Sequence, residues 1–382
     1  MVISIRPFQA LVTALLIGFS VSTYANTEND STAVAHNEEH AAHAAHGTHG
    51  EDKEFNASEL IGSHIGDSHD FHIFDWGGHP ISFSLPVILW TDNGLVVFSS
   101  KQFHHDNSGH HVVEADGQKF VRYNEVIYYA DKFESLKEED RSAFNFEARP
   151  LNFSVTRFVF SMLMSVIVLF LLFSAVARSY KKNPQAPKGL AGFLEPLVVF
   201  VRDDIAIPNI GEKKYAKYMP YLLTIFFFIW INNLIGLIPF FPFGSNLTGS
   251  IYFTFVLALI TYLVTSFSGN KDYWAHIFKP PVPVALYPIM IPVEIIGTLT
   301  KPFALMIRLF ANITAGHIII LSLISLIYIF KTVAIAPVSG AFVLFMSVLE
   351  LLVAALQAYV FTLLSALFIG QAVQEHDHAD HH

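Results

Sequence analysis

From residue 154 onward, long apolar runs alternate with short polar ones, at about 158–177, 219–241, 251–268, 293–330 and 336–373. At 1.5 Å per helical residue each run is long enough to cross about 30 Å of hydrocarbon, so the pattern predicts five membrane-spanning helices. The last two runs exceed a single upright crossing; 293–330 alone would extend roughly 57 Å as a straight helix. They read as a long C-terminal helical hairpin that tilts, bends or lies partly outside the core. Gly192 to Ile207 mixes Glu195, Arg202, Asp203 and Asp204 with Phe, Leu and Val, which suits a helix lying on the membrane surface. Asn232 and Asn233, inside the second run, ask for a partner helix.

Before residue 154 the pattern changes to strands. The runs 81–90 and 95–103 flank Thr91-Asp92-Asn93-Gly94, a hairpin signal, and Pro86 predicts an edge strand. A further β-rich stretch at 119–129 precedes the charged segment Glu134 to Arg141, which predicts a short helix. Residues 60–150 therefore read as a small β-rich domain. Residues 26–59 are polar and low in complexity, with histidines at 36, 40, 43, 46 and 49, and predict disorder. Residues 1–25 carry Arg6, an apolar stretch from Ala10 to Val21 and the ending Ser22-Thr23-Tyr24-Ala25, the pattern of a cleaved secretory signal.

Composition supports this division. Of 382 residues only 14% are charged and 53% are apolar, outside the range of a soluble globular protein. Residues 26–150 hold eight basic and 22 acidic side chains, a balance of −14, whereas residues 151–382 carry +4. A signal would leave residue 150 outside, and the segment after the first span would then be cytoplasmic. That segment carries eight Lys or Arg between Arg178 and Lys217, as the positive-inside rule requires. Five crossings leave the tail of residues 374–382 in the cytoplasm. With no cysteine, the chain has neither thiolate chemistry nor disulfides. No Gly-rich loop with Lys is present to cradle phosphate, and no cofactor or nucleic-acid partner is expected.

The chemistry concentrates in the last two spans. Glu294, Lys301, Arg308, Asn312 and His317 lie along the first and Glu350 and Gln357 along the second. Charge at such depth costs several kcal/mol unless paired or wetted, so it marks a pathway. Glu294, Lys301 and Arg308 fall within about 40° of one helical face, whereas His317 points to nearly the opposite side. If residues 331–336 form the turn of an antiparallel hairpin, His317 lies level with Glu350 and Arg308 with Gln357. A titratable His–Glu couple passes protons. A permanent guanidinium attracts a carboxylate and blocks a proton wire. An alternative for Arg308 and Glu350 is an internal salt bridge that specifies packing.

At these residues the chain resembles subunit a of the F-type ATP synthase, the stator partner of the rotating c-ring. The likeness runs from about Phe158 to Val373, more than half of the chain. It centres on Thr300-Lys-Pro-Phe-Ala-Leu-Met-Ile-Arg308-Leu-Phe-Ala-Asn312-Ile-Thr-Ala-Gly316-His317, with further blocks at Asn233 to Pro239 and Glu350 to Tyr359. The resemblance implies a non-catalytic, proton-conducting subunit of a bacterial inner membrane, partnered by the c-ring, subunit b and the other stator subunits. It implies that Arg308 faces the ring carboxylate and that Glu294 lines a cytoplasmic half-channel. It places His317 and Glu350 in the outer half-channel, with Asn312 and Gln357 in support. The chain departs from the family at two places. Many members have an acid where His317 stands and a histidine where Glu350 stands, and most have Gly where this chain has Ala311.

Of 19 histidines, thirteen lie between residues 36 and 111 and four between 376 and 382. Neutral imidazoles bind Zn, Cu or Ni. His104, His105, His110 and His111, with Asp106, are therefore candidate metal ligands, and a metal-ion transporter with a metal-capturing domain is the competing function. The spans themselves show no His/Asp constellation for a metal.

Overall fold

The computed structural model describes residues 62, 65–76, 79–136, 147–182, 189–238, 244–280, 282–330 and 335–374. The signal segment, the His-rich tract, most of the Glu134–Arg141 segment and the tail from residue 375 lie outside them.

Among the described residues, eight strands build the N-terminal β region: β1 (Asp70–Trp76), β2 (His79–Ser84), β3 (Pro86–Thr91), β4 (Gly94–Ser99), β5 (Val113–Ala115), β6 (Gln118–Tyr123), β7 (Val126–Tyr129) and β8 (Leu151–Asn152). They form three antiparallel sheets, ordered β1-β2, β4-β3-β8 and β5-β6-β7. The Asp92-Asn93 turn closes the expected hairpin, with Thr91 opposite Gly94. Pro86 does not mark an edge: β3 is the middle strand, and the proline sits at its first residue, beyond the short pairing with β8. The 81–90 run is two strands, broken at Leu85, whose N–H turns to His69 O and Ser100 Oγ. The 119–129 stretch folds back on itself at Asn124-Glu125, both at positive φ, the tight hairpin turn that Asn favours. Val87, Leu89, Val96, Phe98, Phe103, Val113, Phe120 and Ile127 form the core of the region. Each such side chain contributes about 1.5–3 kcal/mol when fully buried. The short helix α1 (Ala130–Ser135) begins four residues before the charged segment expected to form it.

The helical part begins with α2 (Arg157–Lys182). Next come α3 (Leu190–Phe200), a π-helical turn at Val201–Ala206 and a last turn at Ile207–Ile210, where a surface helix was expected. Then follow α4 (Tyr215–Leu237), α5 (Ile251–Ser268), α6 (Lys271–Phe278), α7 (Tyr287–Phe330) and α8 (Ala336–Val373). Five of these, α2, α4, α5, α7 and α8, are long and apolar enough to cross a membrane. The fold is thus a polytopic helical membrane protein with a small β-containing N-terminal region. α4 stops just before Pro239, because the residue preceding a proline is pushed out of the helical region. α7 has 44 residues, about 66 Å of helix at 1.5 Å per residue, and contains Pro292 and Pro302.

Among the described residues, those within 161–317 and 346–374 pack as one unit, and those within 62–160 and 318–345 as another. In the first, small residues make the seam: Ala354, Ala358, Thr362, Ser365, Ala366 and Ala372 of α8 are all buried. Helices in lipid associate through close packing rather than the hydrophobic effect, which favours such residues. Gly370 is the extreme case, since a Cβ there would lie 2.0 Å from Asn209 O. The open carbonyls at the end of α8 are capped from other elements. Asn270 N–H donates to Ala372 O, and Lys214 Nζ and Asn270 Nδ2 donate to Val373 O at 2.7 and 2.8 Å.

Candidate functional site

His317 of α7 and Glu350 of α8 stand together, Nε2 to Oε1, at 3.4 Å. The approach is possible because Gly316 has no side chain: a Cβ there would fall 2.9 Å from Glu350 Oε1. Gly236 of α4 borders the same spot: a Cβ there would sit in ordinary contact with the backbone of Ser245 and Asn246 and 3.9 Å from His317 Nε2. The 244–250 connection is stitched into the same neighbourhood. Thr248 Oγ1 donates to Asn233 Oδ1 at 2.6 Å, Asn233 Nδ2 to Ala354 O at 3.2 Å, and Thr314 Oγ1 to Gly249 O at 3.2 Å. Asn233 thereby finds its partner helix in α8. Asn232 instead donates to Phe228 O of its own helix.

Several polar atoms here are buried without a hydrogen-bond partner among the described residues: both carboxylate oxygens of Glu350, Ser245 Oγ, Asn246 Nδ2 and Asn232 Oδ1. A buried donor or acceptor left unpaired costs about 1–3 kcal/mol. Such groups persist in apolar surroundings when water or a proton reaches them. The His317–Glu350 contact sits in a polar patch suited to proton exchange.

Arg308 lies nine residues before His317 and is exposed on α7, as is Asn312 one turn further on. Among the described residues no acid lies within ion-pair distance of Arg308, and no hydrogen bond to it is found. Gln357, expected level with it, is 3% exposed and buried in the packing, and no hydrogen bond joins the two. No Arg308–Glu350 salt bridge forms either. Exposed side chains near it along α7 are apolar, Phe303 and Ile307 among them, and α8 likewise exposes Val348, Leu352 and Leu356. An exposed guanidinium on such a surface is costly in the membrane unless an anion or water meets it.

Glu294 and Lys301, expected on one stripe with Arg308, turn to separate neighbours. Glu294 Oε2 is 4.0 Å from His276 Nδ1 on α6. Lys301 Nζ donates to Gln371 Oε1 at 2.9 Å and lies 5.4 Å from the Phe368 ring centre. A small cleft beside Lys301 is lined by Thr261, Tyr262, Thr265, Tyr273 and Thr298. The sequence reading missed His276; the only signal was a lone imidazole in a connection rich in lysine.

The candidate metal ligands of the β region do not gather. The His104 ring meets that of His111 edge-on at 4.7 Å, and His105 turns to Asp70, Nδ1 to Oδ2 at 3.5 Å. Asp106 is occupied by Ser108 Oγ and by the N–H groups of Ser108 and His111. Among the described residues no three His, Cys, Asp or Glu are placed to hold a metal ion.

Five apolar helices, an acid–imidazole contact in a buried polar patch and an outward-facing arginine define a membrane protein of the ion-translocating kind. A family model described as ATP synthase A chain matches residues 159–370, and a second, described as a domain of unknown function, matches residues 60–153. ATP synthase subunit a of Chloroherpeton thalassium is 52% identical over 241 residues, 61% of this chain and 71% of the relative. ATP synthase subunit a 2 of Chlorobaculum tepidum is 48% identical over 244 residues, 62% and 68% of the two chains. ATP synthase subunit a of Pelodictyon phaeoclathratiforme is 42% identical over 280 residues, 71% and 77%. The chain belongs to the ATP synthase A chain family. These likenesses support proton translocation and give no support to metal-ion transport.

Proposed function

We propose that this chain is the proton-translocating stator subunit of an F-type ATP synthase and performs no chemistry on nucleotide itself. Its partners are the c-ring, subunit b and the other stator subunits, in a bacterial inner membrane, with the β region outside and the C-terminus in the cytoplasm. Protons enter by the His317–Glu350 couple, where unpaired buried oxygens and Gly316 leave room for exchange. They load a ring carboxylate, travel with the ring and leave past Glu294, whose neighbour His276 offers a second titratable group. Arg308 stands between the two routes. Its fixed charge attracts the deprotonated ring carboxylate and keeps protons from crossing directly. Asn312, on the same exposed face, supports it, and Gln357 helps pack the hairpin behind.

The observation that carries this reading is Arg308, exposed on an apolar helix face and lacking an acidic partner among the described residues. In liposomes holding the assembled complex, Arg308→Ala abolishes ATP-driven proton pumping while passive proton leak persists or rises. Arg308→Lys also fails, because lysine lacks the planar fork and loses its proton more readily. Undiminished pumping by Arg308→Ala overturns the assignment.

A further inference from the structure

The sheet β4-β3-β8 is apolar on both faces. Val87, Leu89, Val96 and Phe98 point into the core of the β region. The opposite face shows Trp90, Leu95 and Val97, each 55% exposed, together with Leu151 at 44% and Phe153 at 45%. These residues are neighbours: Trp90 pairs with Leu95 on one side and Leu151 on the other, Ile88 pairs with Val97, and Phe153 N–H donates to Ile88 O. Pro86 and Ser99 complete the face, which carries no charge. The neighbouring sheet behaves as a solvated face should, with Glu114 opposite Lys119, both exposed. A contiguous apolar patch of this kind marks a surface that is covered in the working protein.

Chain geometry says what covers it. Phe153 precedes Arg157, the first residue of α2, by four positions, and the apolar run of that helix begins at Phe158. At no more than ~3.6 Å per residue, Phe153 lies within about 18 Å of the start of the hydrocarbon. The link is not a loose tether. Val155 N–H donates to Pro86 O at 3.0 Å, Arg157 N–H to Ser68 O at 2.8 Å and Phe158 N–H to Asp67 Oδ1 at 3.0 Å. Phe160, in the first turn of α2, packs edge-on against Phe71 with ring centres 6.3 Å apart. The patch is thus tied to the end of α2 where the chain enters the membrane, within reach of the headgroup layer, which is some 5–8 Å deep on each side. Trp and Phe side chains on an uncharged face suit that layer.

We propose that the Trp90–Leu95–Val97–Leu151–Phe153 face is a membrane-docking surface that seats the β region on the interfacial layer of the bilayer entered by α2. The assignment rests on α2 crossing the bilayer and not on the proton pathway, so either fails without the other. Docking is driven by apolar burial, and because the face has no charge it is insensitive to anionic lipid and to salt.

The native absence of cysteine allows a direct test. A spin label is attached to the full-length chain at Val97→Cys, at Leu95→Cys or, as a reference on the polar sheet, at Glu114→Cys. The chain is reconstituted in phosphatidylcholine nanodiscs, and the measurement is repeated in the assembled complex with the cysteines of other subunits removed. The expected result at positions 97 and 95 is several-fold higher accessibility to oxygen than to a water-soluble nickel chelate, with the reverse at 114 and no change on adding phosphatidylglycerol. Labels at 97 and 95 as open to the chelate as that at 114 overturn the proposal. So does protection from both reagents, which signifies cover by protein: a second copy, another subunit or a segment of this chain.

Discussion

The two parts of this molecule treat buried charge in opposite ways. In the β region, Asp70, Arg122, His69 and Glu125 are closed into a network. Arg122, 2% exposed, donates to Asp70 Oδ2 at 2.8 Å and to Asp106 O at 2.9 Å. Ser100 Oγ donates to Asp70 Oδ1, and His69 holds Glu125 through both its N–H and its ring. Burial by itself would raise Glu125, but the His69 hydrogen bond and the charges of His69 and Arg122 hold its carboxyl below the usual range. In the helical part, Glu350 is 5% exposed, more buried than either Asp70 or Glu125, yet both its oxygens lack a hydrogen bond among the described residues. A closed network rigidifies a fold, whereas a buried acid left open is available for exchange. The difference separates charge that specifies structure from charge that does work.

The hardest way to break that comparison is to open the closed network. Removing one partner of a buried ion pair costs about 3–5 kcal/mol. Arg122→Met is expected to lower the stability of the β region by that order, seen as faster hydrogen exchange across β6 and β7. Proton pumping per assembled complex is expected to stay normal. Loss of pumping at full assembly would give the β network a part in translocation.

Next in size is the His317–Glu350 couple. Either single alanine slows proton entry, and the exchange of His317→Glu with Glu350→His recovers more activity than the singles imply. A coupling of about 0.5–3 kcal/mol is the range for residues in contact. Strict additivity in pumping rates would separate the two residues functionally.

A smaller change sharpens the same contact. Gly316→Ala puts a methyl 2.9 Å from Glu350 Oε1, a contact that the mobile carboxylate end relieves by turning away. Assembly is expected to be normal and proton entry several-fold slower. Gly370→Ala meets backbone at 2.0 Å instead, and there assembly is the quantity that falls.

The smallest effect is a pH dependence confined to the β region. Against a desolvation that would raise it, hydrogen bonds from Ser108 Oγ and from the N–H groups of His111, Ser108 and His110 hold the Asp106 carboxyl at about 2. Its folded value lies below the unfolded one of about 3.9, so its stabilisation is complete above that pH and disappears as pH falls toward 2. Asp106→Ala is therefore expected to lower the melting temperature slightly at pH 7 and not at pH 2. An equal shift at both pH values would show that the carboxylate charge contributes nothing.

Read from one end to the other, the amino-acid order alone specifies the five spans, the Asp92-Asn93 hairpin and the identity of the charged residues at depth. These are local quantities: run length against bilayer thickness, turn chemistry, and the presence of Arg308, His317 or Glu350 in an apolar stretch. Only the tertiary structure decides which of them meet. Pro292 and Pro302 lie within α7, and Glu294 and Lys301 turn to different neighbours while Arg308 has no ion-pair or hydrogen-bond partner among the described residues, despite their shared helical spacing. Gln357 is buried with Ala354 and Ala358, whose small side chains bring that face of α8 into the packed seam. The Asp70–Arg122 bond joins residues 52 positions apart, and His276 reaches Glu294 from a separate helix. Periodicity fixes where a side chain points on its own element, but a contact between elements depends on how closely their backbones approach. That approach is closest at Gly370, against the backbone of Asn209, while the bare Cα of Gly316 leaves room for the Glu350 carboxylate.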